Sequence, residues 1–128
     1  MNDRSKRTSK QKTGDRGESL ALSFLLNKGY QTVSRNYHSR YGEIDLIVKN
    51  DDYIVFVEVK TRNITSVAAP VTFVDKRKQE RLIKTAMLFM DENQTELQPR
   101  FDVIAISFDG AGGFELEHIE NAFFYEGE

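Results

Sequence analysis

The chain has no cysteine and no tryptophan, and only two prolines and two histidines. Without cysteine, disulfides and thiolate metal ligands are excluded. His38 and His118 lack metal-like spacing, and no serine–histidine arrangement points to acyl transfer. No apolar run approaches the roughly 20 residues of a membrane span. Nothing apolar follows the first seven residues, Met1 to Arg7, so a secretory signal is not expected. The default expectation is a cytoplasmic protein with no membrane partner.

What is present fits one soluble domain. The chain's 128 residues allow a real core, and 39% hydrophobic with 30% charged residues exclude a disordered chain. Charge is unevenly placed. Residues 1–12 carry five bases (Arg4, Lys6, Arg7, Lys10, Lys12) against Asp3, leaving 13 bases against 19 acids in the rest. This reads as a flexible basic arm over 1–12 ahead of a single acidic domain over 13–128. Such an arm suits phosphate contact, and equally a solvated leader.

The elements follow from periodicity. Thr13 or Asp15 is a candidate cap for a helix running to Lys28, with Gly29 as its stop. Ala21, Phe24 and Leu25 follow helical spacing, and Leu22 and Leu26 widen the apolar face. Tyr30 to Tyr37 reads as a strand, followed by strands from Tyr41 and from Tyr53 to about Arg62. A loop containing Pro70 leads to a helix from Asp75 to about Asp91, with Leu82, Ile83, Ala86, Met87 and Met90 as its stripe. Gln98-Pro99 reads as a break. Phe101 to Phe108 and an edge strand from Phe114 to Ile119 follow, and Phe123-Phe124-Tyr125 is an aromatic cluster for packing on the sheet. The predicted fold is α/β, a mixed sheet flanked by helices, in the order helix-strand-strand-strand-helix-strand-strand. The intervening helix permits parallel pairing of the strands at Val59 and Phe101.

Acids inside two apolar, β-branched runs are the main functional signal, because Asp and Glu are depleted in strands. Asn50-Asp51-Asp52 marks a hairpin between those runs. With Asp51-Asp52 as a two-residue loop, Asp45 faces Glu58. Opposed side chains have Cβ atoms about 5 Å apart, and like charges there are destabilising. A divalent cation is the natural compensation. Two carboxylates plus the Val59 backbone carbonyl suit magnesium or manganese, which take hard oxygen ligands. Lys60 shares a face with Glu58, about 7 Å along the strand. It is placed to orient a metal-activated water or to stabilise developing phosphate charge. Glu18 on the first helix is a further candidate. The basic start of the second helix (Lys76, Arg77, Lys78) opposes the macrodipole, so an anionic partner is one reading and a solvated face the other.

Asp45 with Glu58-Val59-Lys60 resembles the D…(D/E)-x-K signature of the PD-(D/E)xK, restriction-endonuclease-like nuclease superfamily. The whole chain resembles the small bacterial YraN-like family through Gly14-Asp15-Arg16-Gly17-Glu18, Arg35-Asn36-Tyr37, Gly42-Glu43-Ile44-Asp45-Leu46 and Val74-Asp75-Lys76-Arg77-Lys78-Gln79. Archaeal Holliday-junction resolvases look like its nearest functional analogues. The resemblance implies metal ligation by Asp45, Glu58 and the Val59 carbonyl, a catalytic Lys60 and a supporting Glu18. Gln79 enters as a phosphate or water contact, although Ile83 stands where some relatives carry tyrosine. Arg40, Lys76, Arg77, Lys78 and Gln79 form the expected nucleic-acid contact set.

Two functional expectations stand side by side. One is a Mg2+- or Mn2+-dependent endonuclease acting on DNA, including branched or structured forms. The other is a nucleic-acid-binding module, or a subunit of a repair or recombination assembly, with the nuclease fold and little catalysis. A resolvase working on a two-fold junction would also be a homodimer.

Overall fold

A computed structural model describes residues 7–64 and 73–124. Pro70, Tyr125 and the arm residues Arg4 and Lys6 lie outside the described residues. The elements are α1 (Ser9–Asn27), β1 (Gln31–Ser39), β2 (Gly42–Lys49), β3 (Tyr53–Asn63), α2 (Lys76–Asn93), β4 (Gln98–Phe108) and β5 (Phe114–Phe123). Their order is the one expected. No helix among the described residues is long and apolar enough to cross a membrane.

The first helix begins a turn earlier than Thr13 or Asp15. Thr8 and Gln11 form a capping box: Gln11 N–H donates to Thr8 Oγ1 at 3.1 Å, and Thr8 N–H to Gln11 Oε1 at 2.9 Å. Lys10 and Lys12 are therefore helical. The buried face of α1 is Gly17, Ala21 and Leu25, while Leu26 stays 46% exposed. This face is narrower than the apolar pattern implied, because small residues at Gly17 and Ala21 let the helix lie close to the sheet. A Cβ on Gly17 would run into the Thr61 Cγ2 methyl of β3.

One mixed sheet runs β1-β2-β3-β4-β5. β3 and β4 are parallel, joined through α2, and every other pair is antiparallel. Each face carries a core. The α2 side holds Ile47, Phe56, Leu82, Ala86, Phe89, Phe101 and Val103, and the α1 side holds Ala21, Leu25, Leu46, Val55, Val57, Ile104 and Ile106. Phe56, Phe101 and Phe123 stack in sequence at 5.5 and 5.0 Å between centroids. Thr85 and Phe89 join the buried stripe of α2, whereas Ile83, Met87 and Met90 are only partly buried. Thr85 is admitted to the core because its hydroxyl is satisfied by the Arg81 carbonyl and Ser39 Oγ, both at 2.9 Å.

Pro99 does not break the chain but lies inside β4. It pairs beside Ile54 of β3, and β5 reaches only to Phe101. The other edge of β4 is therefore open at Pro99, where a missing N–H removes no ladder bond. The C-terminal aromatics divide: Phe123 is buried and Phe124 is 61% exposed.

The close approach of α1 gives a test. Gly17→Ala should destabilise the protein by about 1–3 kcal/mol despite alanine's better helix propensity, because overpacking outweighs it. Thr61→Ala in the same background should restore most of the loss in urea denaturation. Full stability of the single variant would show that α1 does not need that contact distance.

Candidate active site

The hairpin register is the one the two-residue loop dictates. Asn50 Oδ1 accepts the Asp52 and Tyr53 N–H groups at 2.9 and 2.8 Å, closing the turn. Leu46 pairs with Val57, and the β2–β3 ladder stops there. One residue on, Asp45 Oδ2 accepts the Val59 N–H at 2.8 Å. A side chain thus takes the bond that a ladder carbonyl would have taken. The pleat is interrupted at the same point: Ile44 packs into the α2-side core and Leu46 into the α1-side core, although they are two residues apart. Between their β1 partners, across from Asp45, Asn36 adopts a left-handed φ of 52°. Asparagine tolerates this better than most residues.

A cavity of about 500 Å3 opens where the ladder ends, lined by Glu18, Tyr41, Glu43, Asp45, Glu58, Val59 and Lys78. α1 supplies Glu18, the residue after the close-packed Gly17. With its amide nitrogen turned toward them, Asn36 donates to Glu18 Oε1 at 3.2 Å and Glu43 Oε2 at 3.1 Å. Glu58 is 7% exposed and ion-paired to Lys78 of α2. Burial first, and then the Glu43 carboxylate, raise Glu18 above its ordinary range. Asp45 is pushed up to about 8, first by burial and then by the neighbouring Glu58 charge. Burial by itself would lower Lys78, but the hydrogen bond and charge of Glu58 outweigh it and raise Lys78.

The expected residues separate into three groups. Glu18, Asp45, Glu58 and Val59 line one cavity, together with Lys78. Lys60 lines an adjoining one of about 480 Å3, which shares Glu58 and Lys78 with the first. The remaining nucleic-acid candidates stand apart from both. Gln79 Nε2 donates to the Val74 carbonyl at 2.7 Å. Arg40 lies over the Tyr41 ring at 5.0 Å and donates to its hydroxyl at 3.0 Å. Lys76 and Arg77 are exposed on the first turn of α2.

Two residues enter with roles the sequence did not reveal. Asn36 bridges two acids; its signals were its place in the Arg35-Asn36-Tyr37 motif and an asparagine inside a strand, a poorly favoured position. Lys78, expected as a phosphate contact, is also the cation that faces Glu58.

Among the described residues, no three acidic or histidine side chains are close enough to cage an ion unaided. Magnesium needs only one or two carboxylates and keeps several waters. By donor chemistry, Asp45 and Glu58 with the Val59 carbonyl fit such an ion, and Glu18 is near enough to influence Asp45 electrostatically.

The raised Asp45 makes stability depend on pH. A group that binds its proton more tightly when folded stabilises the fold at low pH, and that contribution disappears as pH rises. For Asp45 the loss runs from the ordinary value of 3.8 to about 8. Asp45→Asn keeps the acceptor for Val59 N–H and removes the charge. In metal-free buffer it should gain about 1–3 kcal/mol over the parent at mildly alkaline pH, shrinking toward zero in acid. Thermal melts across pH check this, and a gain independent of pH would disprove the buried-charge account.

Relatives are numerous and of similar length. Residues 17–106 match the family described as Uncharacterised protein family UPF0102. A UPF0102 protein of Thermodesulfovibrio yellowstonii is 41% identical over 111 residues, covering 87% of this chain and 95% of its own. One from Syntrophomonas wolfei is 44% identical over 108 residues, covering 84% and 93%. One from Chloroherpeton thalassium is 43% identical over 116 residues, covering 88% and 89%. The matched span contains Glu18, Asp45, Glu58, Lys60 and Lys78, and the chain belongs to the UPF0102, or YraN-like, family of PD-(D/E)xK-like proteins.

Proposed function

We propose that the chain is a divalent-metal-dependent nuclease that hydrolyses phosphodiester bonds in DNA, with Asp45 and Glu58 as the ligands of a magnesium or manganese ion. The observation that carries this reading is a half-buried aspartate raised first by desolvation and then by the charge of Glu58, in an acid-lined cavity. Such a pair costs the fold stability, and a hard cation removes the cost. When bound, the ion supplies a Lewis acid and an activated water for attack on phosphorus.

The chain's own residues do the rest. The Val59 N–H orients Asp45, and its carbonyl is a candidate third ligand. Asn36 restrains Glu18 and Glu43 at the outer wall, where Glu18 can hold a metal-bound water. Lys78 neutralises Glu58, and its half-exposed ammonium would be available to a phosphate oxygen if a cation took its place on that carboxylate. Lys60 stands one pleat from Glu58, on the flank where charge develops on the phosphate.

A second reading, a DNA-binding module with the nuclease fold, draws on the same Lys78. An ammonium already seated on Glu58 supplies the positive charge that a metal would otherwise bring. Calorimetric titration with Mg2+ or Mn2+ separates the two, because the nuclease needs stoichiometric binding that Asp45→Asn abolishes.

Cleavage of single-stranded, duplex and branched DNA should require the metal. Removal of any one of Asp45, Glu58 or Lys60 (by Asp45→Asn, Glu58→Gln or Lys60→Ala) should lower the rate by on the order of 100-fold or more. Metal-dependent cleavage that survives all three substitutions would exclude this site.

A further inference from the structure

The second cavity is a different kind of surface from the first. Glu18, Glu43 and Asp45 line only the first, whereas Lys10, Lys60 and Arg62 line only the second. The two meet at Glu58, Val59, Thr61 and Lys78. The first cavity therefore has three acids and one base, Arg81, of its own, whereas the charged residues found only in the second are all basic. The groove exists because β4 changes character. Phe101 and Val103 fill the α2-side core, but Ala105 and Ser107, next on the same face, are small and form an open floor.

The spacing of the bases is regular. Glu58, Lys60 and Arg62 occupy alternate positions of β3 and so share one face at intervals of about 7 Å. That is the scale on which phosphates follow one another along an extended nucleic-acid strand. Arg62 is held in place by its Nε, which donates to Ser107 Oγ at 3.0 Å. Lys10 reaches the same groove from the first turn of α1, whose start is fixed by the Thr8 cap.

We infer that this groove seats successive backbone phosphates of one extended nucleic-acid strand, flanking on one side the phosphate at Glu58 and Lys78. The inference rests on the nuclease reading for what happens at Glu58, but not for binding. It assigns phosphate contact to Lys10 and Arg62 and leaves the exposed Lys76 and Arg77 out of the strand's path. Recognition here is of charge and spacing, so it carries no base sequence.

The test is a binding measurement in EDTA, where cleavage cannot occur. Anisotropy of a labelled single-stranded oligonucleotide without terminal phosphates is followed against salt for the full chain, Lys10→Glu, Arg62→Ala and Arg62→Lys. Lys10→Glu and Arg62→Ala should each weaken binding several-fold and reduce the slope of log K against log salt by about one. Arg62→Lys keeps the charge while losing the fixed guanidinium, and should keep the slope; this separates charge from any packing defect. Unchanged slopes for Lys10→Glu and Arg62→Ala would overturn the proposal. So would a requirement for a 5′-terminal phosphate, since a continuous strand offers internal phosphates. Cleavage by the parental chain separates the two readings. If the groove variants shift the slope as expected while the parent cleaves no DNA with Mg2+ or Mn2+, only the nuclease reading falls. If the parent cleaves and the groove variants keep their slopes, only the groove falls.

Discussion

Everything at the active end of the molecule depends on where the β2–β3 ladder stops. A backbone hydrogen bond that would have gone to a neighbouring carbonyl goes to the Asp45 carboxylate. That one exchange holds an acid between two strands beside Glu58, ends the pairing and opens the cavity. The cost is borne by the rest of the sheet. Stacked Phe56, Phe101 and Phe123 and the close contact of Gly17 with Thr61 fix the surrounding backbone, so the two acids cannot relax apart.

Another aspartate shows what the same fold does with an acid it uses for structure. Asp102 is fully buried, yet it accepts hydrogen bonds from Arg100 and His118 side chains and from the Asn121 N–H. Burial alone would raise it, but these donors hold it below the ordinary aspartate value. Asp45 has one backbone donor and an acidic neighbour, and is displaced the other way. The contrast between a carboxylate ringed by donors and one beside other acids marks the site more sharply than burial does.

Much of the fold was legible because it is local. The turn residues Asn50-Asp51-Asp52 predicted the hairpin register, and Gly29 predicted the end of α1, with a φ of 99°. The misreadings came from context. The Thr8–Gln11 capping box lies in a basic, apolar-poor stretch with no periodic signal to mark a helix start. Pro99 read as a break because a single sequence does not reveal which strand edges are open. Leu26 is exposed and Phe89, outside the expected stripe, is buried because the helix faces depend on how closely each helix approaches the sheet.

Residue type and strand periodicity were enough to bring Asp45 and Glu58 to the same end of the hairpin, since a pleat of period two and a two-residue loop fix the register up to Leu46 and Val57. Those two facts required no tertiary information. Tertiary structure decided which cation answers Glu58 and where the other bases lie. Lys78 comes from a helix twenty residues beyond Glu58 in sequence, and Lys10 from the other helix. Their distances to β3 are set by side-chain packing on opposite faces of the sheet. Packing of that kind is a property of the assembled core and leaves no periodic trace along the chain.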